Sequence, residues 1–142
     1  MELTELLEKT RQSELLRIFE IEIETAEKGF VVLTMPVTPK VHQYIGIMNG
    51  GISLLLAETS ASLGAVISSD LTKVTPVGIE INANHLRAVS RGVLRVEAKN
   101  IYHGRTLSVW QVEITNERGK LVCVSRCTLS LKKGAAFPVE NP

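Results

Sequence analysis

At 142 residues, 44% of them hydrophobic, the chain is long enough for one compact domain and too apolar to stay disordered. Its net charge of +1, with acids and bases interspersed, argues against a nucleic-acid binder, which would concentrate Lys and Arg on one face. Met1 to Gln12 carries three Glu and no apolar stretch of leader length, which argues against export.

Residues 2–14 read as an amphipathic helix with Leu3, Leu6 and Leu7 on one side. Phe19, Ile21 and Ile23 then alternate with Glu20, Glu22 and Glu24, the pattern of a half-buried strand. Lys28-Gly29 is a turn. Val31, Leu33, Met35 and Val37 alternate through a second strand that Pro36 and Pro39 bring to an end. A loop over 40–49 leads to Gly50-Gly51, which opens a helix running to about Ser68. This helix is apolar almost all round, so burial on every side is expected. Four strands follow, over about 74–87, 92–102, 106–115 and 121–131, with Val77, Ile79, Ile81 and Ala83 on one face of the first. Turns at His103-Gly104 and Asn116–Gly119 make them an antiparallel run. The tail after Lys133 reads as loose.

The fold class is therefore α+β, with about six strands in a curved antiparallel sheet wrapped round one long central helix. Residues 1–142 form a single domain with its core at about 15–132. The N-terminal helix and the C-terminal tail are peripheral. A helix apolar on every face outruns what one sheet can cover, so a second copy of the chain is the expected cover. From Ile45 to Ser69 the sole charge is Glu58. Length alone would allow a membrane span, but Asn49, four Gly, five Ser and a central carboxylate argue against one. Cys123 and Cys127 lie roughly 13 Å apart if they share a strand, too far for a disulfide, and two free thiols suit the cytoplasm.

Glu58 is the residue most apt for chemistry, because an unpaired carboxylate in an apolar helix needs a partner or a task. Asn49-Gly50-Gly51 marks the helix N-terminus. There the first N–H groups lack internal partners and glycine lets another molecule approach, a setting for a developing oxyanion. Gly50 and Glu58 are about 12 Å apart along one helix, too far to grip one carbonyl, and a site between two subunits removes that difficulty. Ser62 follows Glu58 on the same helix face, and Gln43 in the preceding loop is suited to hold a carbonyl or a water. His85, Arg87, His103 and Arg105 are candidates for a basic rim that binds phosphates. No HxH or HExxH spacing involves His42, His85 or His103, so no metal site is expected.

Two stretches carry a family resemblance. His42-Gln43-Tyr44-Ile45-Gly46-Ile47-Met48-Asn49-Gly50-Gly51, continued by Leu56-Ala57-Glu58-Thr59 and Ser62, resembles the PaaI-like hotdog-fold thioesterases. So does Val77-Gly78-Ile79-Glu80-Ile81-Asn82-Ala83-Asn84-His85-Leu86-Arg87. The resemblance spans about residues 15–132. It implies an acyl-CoA thioesterase acting on an aromatic acyl group, built as a homodimer or a dimer of dimers with active sites between subunits. Catalytic roles fall by resemblance on Glu58, Gly50, Gln43, Asn49 and Ser62. Contacts to coenzyme A fall on Gly78, on His85, Leu86, Arg87 and Ala88, and on Tyr102, His103, Gly104, Arg105, Thr106 and Leu107. Coenzyme A belongs to the substrate, so no separate cofactor is implied, nor any nucleic-acid or membrane partner. Asn49 replaces the usual His and Tyr44 the usual Pro. The departure at Asn49 favours an alternative in which the chain binds acyl-CoA or serves as an assembly module without catalysis.

Overall fold

The computed structural model describes residues 2–136. Two helices, α1 (Leu3–Arg11) and α2 (Glu14–Phe19), precede strands β1 (Glu22–Glu27) and β2 (Phe30–Pro36). A 3-10 turn at Pro39–Val41 and a loop lead into α3 (Gly50–Ile67). Strands β3 (Val74–His85), β4 (Val93–His103), β5 (Leu107–Thr115) and β6 (Leu121–Lys133) follow. All six strands join one antiparallel sheet in the order β1-β2-β4-β5-β6-β3. The central helix touches every strand.

The N-terminal segment departs from the sequence reading in two places. Ser13 interrupts the expected single helix, accepting the Leu16 N–H and so capping a second one. Phe19 belongs to this second helix and not to the strand. Leu16 and Phe19, three positions apart, point the same way into the core, and Glu20 at φ 56° turns the chain out of the helix. The tail differs too. Gly134 and Ala136 donate their N–H groups to the carbonyls of Lys73 and Leu71, so residues 134–136 are tied down. The rest of the expected loose tail lies outside the described residues.

The core is the space between α3 and the sheet. Leu56, Ala57, Ala61 and Ala65 of the helix meet Leu33, Met35, Leu94, Val96, Trp110 and Ile114, all fully buried. Trp110 lies flat against α3 at Gly64, where no side chain intervenes, and its indole N–H donates to Ser108 Oγ at 2.8 Å. The helix is long and apolar enough by composition to cross a membrane, yet its inner face is packed on this sheet. Burial on every side does not hold within one chain. Gly51 and Glu58 are exposed, and Leu54, Leu55, Thr59, Ser62 and Val66 are only half-covered. One sheet covers one side, and the other side faces outward.

Strand β3 lies at the edge of the sheet. A bulge between Gly78 and Glu80 changes which residues face the core. Gly78, Ile81 and Ala83 point toward the helix side, whereas Val77 and Ile79 are exposed. The expected single face of Val77, Ile79, Ile81 and Ala83 is split for that reason.

Candidate active site at the start of the central helix

Asn49 is the N-cap of α3: its Oδ1 accepts the Gly51 N–H at 2.8 Å. The Asn49 carbonyl accepts the Ile52 N–H at 3.0 Å. The Gly50 N–H is left with no acceptor among the described residues. It stands at the positive end of an 18-residue helix, where a partial negative charge is stabilised. Asn49 therefore shapes the helix start by capping it.

A cavity of about 400 Å³ opens at this point. It brings together Gln43, Gly50, His85, Leu86, Arg87 and Ala88. The preceding loop is held by a bridge between His42 and Met48 and by the Gln43 N–H donating to the Ile47 carbonyl at 2.8 Å. His85 ends β3 with its ring beside the helix start. A Cβ added to Gly50 would come within 2.9 Å of His85 Nε2. Ile47, Met48, Ser53, Val89 and Val122 also line the cavity, and the sequence reading singled out none of them. Ser53 is one turn beyond Gly50 on the buried face, a spacing that could have flagged it. Val122 comes from β6, and no local pattern ties it to residue 50.

Glu58 is not in this cavity. It sits two turns along α3, exposed, with its carboxylate against Gly78 of β3, where a Cβ would overlap it. The lack of a side chain at the bulge is what makes room for it. Burial pushes the Cys127 thiol up to about 11, with the nearby Glu58 and Glu80 carboxylates adding to the shift. Cys123 is also raised by burial, against a smaller opposing effect of the Ser53 hydroxyl. Ser62, half-buried one turn beyond Glu58, makes no hydrogen bond to it among the described residues.

The segment Tyr102–Leu107 lies elsewhere. His85 pairs with Cys123 on β6, whereas Leu107 pairs with Ser130. Seven residues of extended strand separate those rungs, about 24 Å. Arg105 and Thr106 belong to the connection between β4 and β5, with the Thr106 carbonyl accepting the Leu131 N–H at 2.9 Å. Tyr102 folds its ring over Gly104, and His103 Nδ1 sits 2.9 Å from Ser108 Oγ, linked through it to Trp110. Within one chain, then, His85 and Arg87 form one group and His103 and Arg105 another, at opposite ends of the sheet.

The model of the family described as the thioesterase superfamily matches residues 45–123, which include Gly50, Glu58 and Gly78. A 1,4-dihydroxy-2-naphthoyl-CoA hydrolase of Listeria monocytogenes is 45% identical over 113 residues, 80% of this chain and 91% of that protein. The chain belongs to the thioesterase superfamily. A solved thioesterase from Haemophilus influenzae is 36% identical and superimposes with a TM-score of 0.85, covering 99% of this chain and 96% of its own. A hypothetical thioesterase protein of Streptococcus pneumoniae solved with coenzyme A is 28% identical, with a TM-score of 0.77 over 84% of this chain and 92% of its own. The PaaI-like hotdog resemblance drawn from the motifs holds, and this thioesterase is a thioester hydrolase.

Proposed function

We propose that this acyl-CoA thioesterase works at a site shared by two copies of the chain, and that its acyl group is aromatic. The observation that carries the reading is the unpartnered Gly50 N–H at the helix start, in a cavity with Gln43 on one wall and Arg87 on another. A thioester carbonyl seated on that N–H is polarised by it and by the helix dipole. Gln43 is the second group able to hold the carbonyl or the water. Ile47, Met48, Val89 and Val122 give the cavity an apolar side suited to an aromatic ring. The name of the Listeria relative points the same way.

The carboxylate must come to the carbonyl carbon, and about 12 Å of helix prevents Glu58 of the same chain from doing so. In the assembly we propose, Glu58 arrives from the partner subunit. It takes a proton from a water that adds to the carbonyl carbon, or itself attacks that carbon, and in the second route water then cleaves the acyl-glutamyl anhydride to release the acid and restore the carboxylate. The carbon–sulfur bond breaks, and coenzyme A leaves as the thiolate that a proton from solvent neutralises. Ser62 orients that carboxylate or the water, and Asn49 holds the helix start in place. The free edge of β3, with Val77 and Ile79 exposed, and the half-covered outer face of α3 support a homodimer and its pairing into a tetramer. Such an assembly also has the means to bring the Tyr102–Leu107 segment of one copy toward the cavity of another. Two free, buried cysteines and a coenzyme A ester as substrate fit a cytoplasmic enzyme that needs no further cofactor.

Thiol release from a panel of aromatic, short and long acyl-CoAs tests the reading. Glu58→Ala should lower kcat on the best substrate by about 10² or more. An unchanged kcat would end the proposal for Glu58, and a best substrate outside the aromatic set would end the proposal for the acyl group.

A further inference from the structure

The loop that delivers Gln43 to the Gly50 cavity is a small hairpin. The Gln43 N–H donates to the Ile47 carbonyl at 2.8 Å, the Gly46 N–H donates to the Gln43 carbonyl at 3.0 Å, and Gly46 takes φ +81°. Tyr44, Ile45 and Gly46 at its tip are exposed, so the hairpin is held at its base. There the Asn49 N–H donates to the Val41 carbonyl at 2.8 Å and joins the two legs. Two further bonds tie the base to the segment after β3 that forms a second wall of the cavity. The Met48 N–H donates to the Val89 carbonyl at 2.7 Å, and His42 Nε2 lies 2.8 Å from the Ser90 carbonyl. A carbonyl only accepts, so Nε2 carries the proton and donates. Among the described residues this is the one side-chain hydrogen bond between the two walls.

One hydrogen bond is a pivot about which a loop can swing, and a second, one residue along, stops the swing. His42 has extended backbone, φ −77° and ψ 144°, so its side chain and that of Gln43 leave the chain on opposite sides. His42 reaches Ser90 while Gln43 lines the cavity, with no side-chain hydrogen bond of its own among the described residues. The place of the Gln43 amide thus follows from its backbone, and its backbone from the tie next to it. We propose that His42 is a positioning residue for thioester cleavage: its Nε2–H, held by the Ser90 carbonyl, fixes Gln43 within reach of the carbonyl or water at the Gly50 N–H. The inference rests on the role given to Gln43 above. It needs no proton to leave the His42 ring, since the neutral Nε2–H form and the imidazolium both donate. The bond is exposed, so water replaces it when it is lost, at little cost in stability. What water does not replace is the fixed distance between the walls.

The test compares His42→Phe, which keeps a planar ring without a donor, with His42→Gln, which returns an N–H at similar reach. Both are made in the parent and in Gln43→Ala. Thiol release from the best acyl-CoA gives kcat and KM, and thermal melting checks folding. His42→Phe should lower kcat about tenfold, a displacement of a full ångström costing about 10², with KM within about twofold and little change in melting. His42→Gln should restore most of the loss. In Gln43→Ala, adding His42→Phe should cost less than about twofold more, because the side chain it positions is gone. A His42→Phe protein with kcat within about twofold of the parent would overturn the assignment. So would a loss that His42→Gln leaves in place, or one that recurs in full in Gln43→Ala. If Gln43→Ala itself has the parent's kcat, the assignment falls together with the role of Gln43, and a Glu58→Ala protein that is still inactive then leaves the shared-site reading standing.

Discussion

Gly78→Ala probes the placement of Glu58 without touching its chemistry. A Cβ at residue 78 overlaps Glu58 Oε1 and comes within 3.2 Å of its carboxyl carbon. Ordinary contact between heavy atoms needs about 3.5–4.0 Å, so the carboxylate must move by an ångström or more. The strand itself has no cause to move, because Gly78 is not among the residues with positive φ and its backbone suits alanine. Glu58 is exposed and can rotate, so the steric cost falls on the carboxylate. Loss of the glycine's freedom in the unfolded chain should offset that cost, by about 0.4–1 kcal/mol. The expected phenotype is a urea midpoint at or slightly above that of the parent, with kcat for thiol release down about 10²-fold, the usual consequence of misplacing a reacting group by an ångström. A folded Gly78→Ala protein with kcat within about twofold of the parent would show that the carboxylate does not act from this position, and the geometric argument for the site would fall.

Three further outcomes follow from the packing. Gly64→Ala forces a methyl group into the Trp110 ring and should destabilise the protein by about 1–3 kcal/mol in urea unfolding; a neutral result would mean that α3 can lift from the sheet freely. Asn49→Ala removes the cap on Gly51 and should cost about 1 kcal/mol of stability, with Asn49→Ser recovering most of it. Burial holds the Cys127 thiol protonated up to about 11, so the unfolded chain loses that proton first. Its contribution to stability is complete below the ordinary thiol value of 9.0 and disappears as pH rises toward 11. Urea midpoints measured from pH 8 to 11 should fall less steeply in Cys127→Ala than in the parent, and parallel slopes would contradict this.

The strands were legible wherever alternation was unbroken: β4, β5 and β6 begin and end within two residues of the positions read from the sequence. The misreadings have local causes. Around Phe19 a helix and a strand offer the same apolar residues, and the Ser13 cap decides between them. In β3 a single bulged residue splits the exposed Val77 and Ile79 from the core-facing Ile81 and Ala83, and no composition signal announces it. In the site, Gly50, Gln43, His85 and Arg87 converge as their motifs suggested, because the loop, the helix start and the end of β3 meet there. Val122 was invisible, since only the pairing of β6 with β3 brings it beside Arg87. The exposure of Glu58 was also beyond reach: a run of apolar residues tells how much surface must be covered, not whether the cover comes from the same chain.

The claim on which the mechanism depends is that Gly50 and Glu58 act on one carbonyl from different chains, and subunit mixing tests it. Gly50→Pro deletes the N–H at the first helical position, where proline is favoured; Asn49 at φ −61°, ψ 130° already has the backbone that a following proline requires, and the His85 ring, which a Cβ at residue 50 meets at 2.9 Å, must turn aside. Gly50→Pro and Glu58→Ala homo-oligomers should each be inactive. Unfolded together at equal amounts and refolded, half of the dimers carry one of each chain, and one of the two sites in such a dimer is intact, so about a quarter of the parent activity should return. A mixture confirmed to contain hetero-oligomers, yet no more active than its parents, would place both groups in one chain and contradict the account.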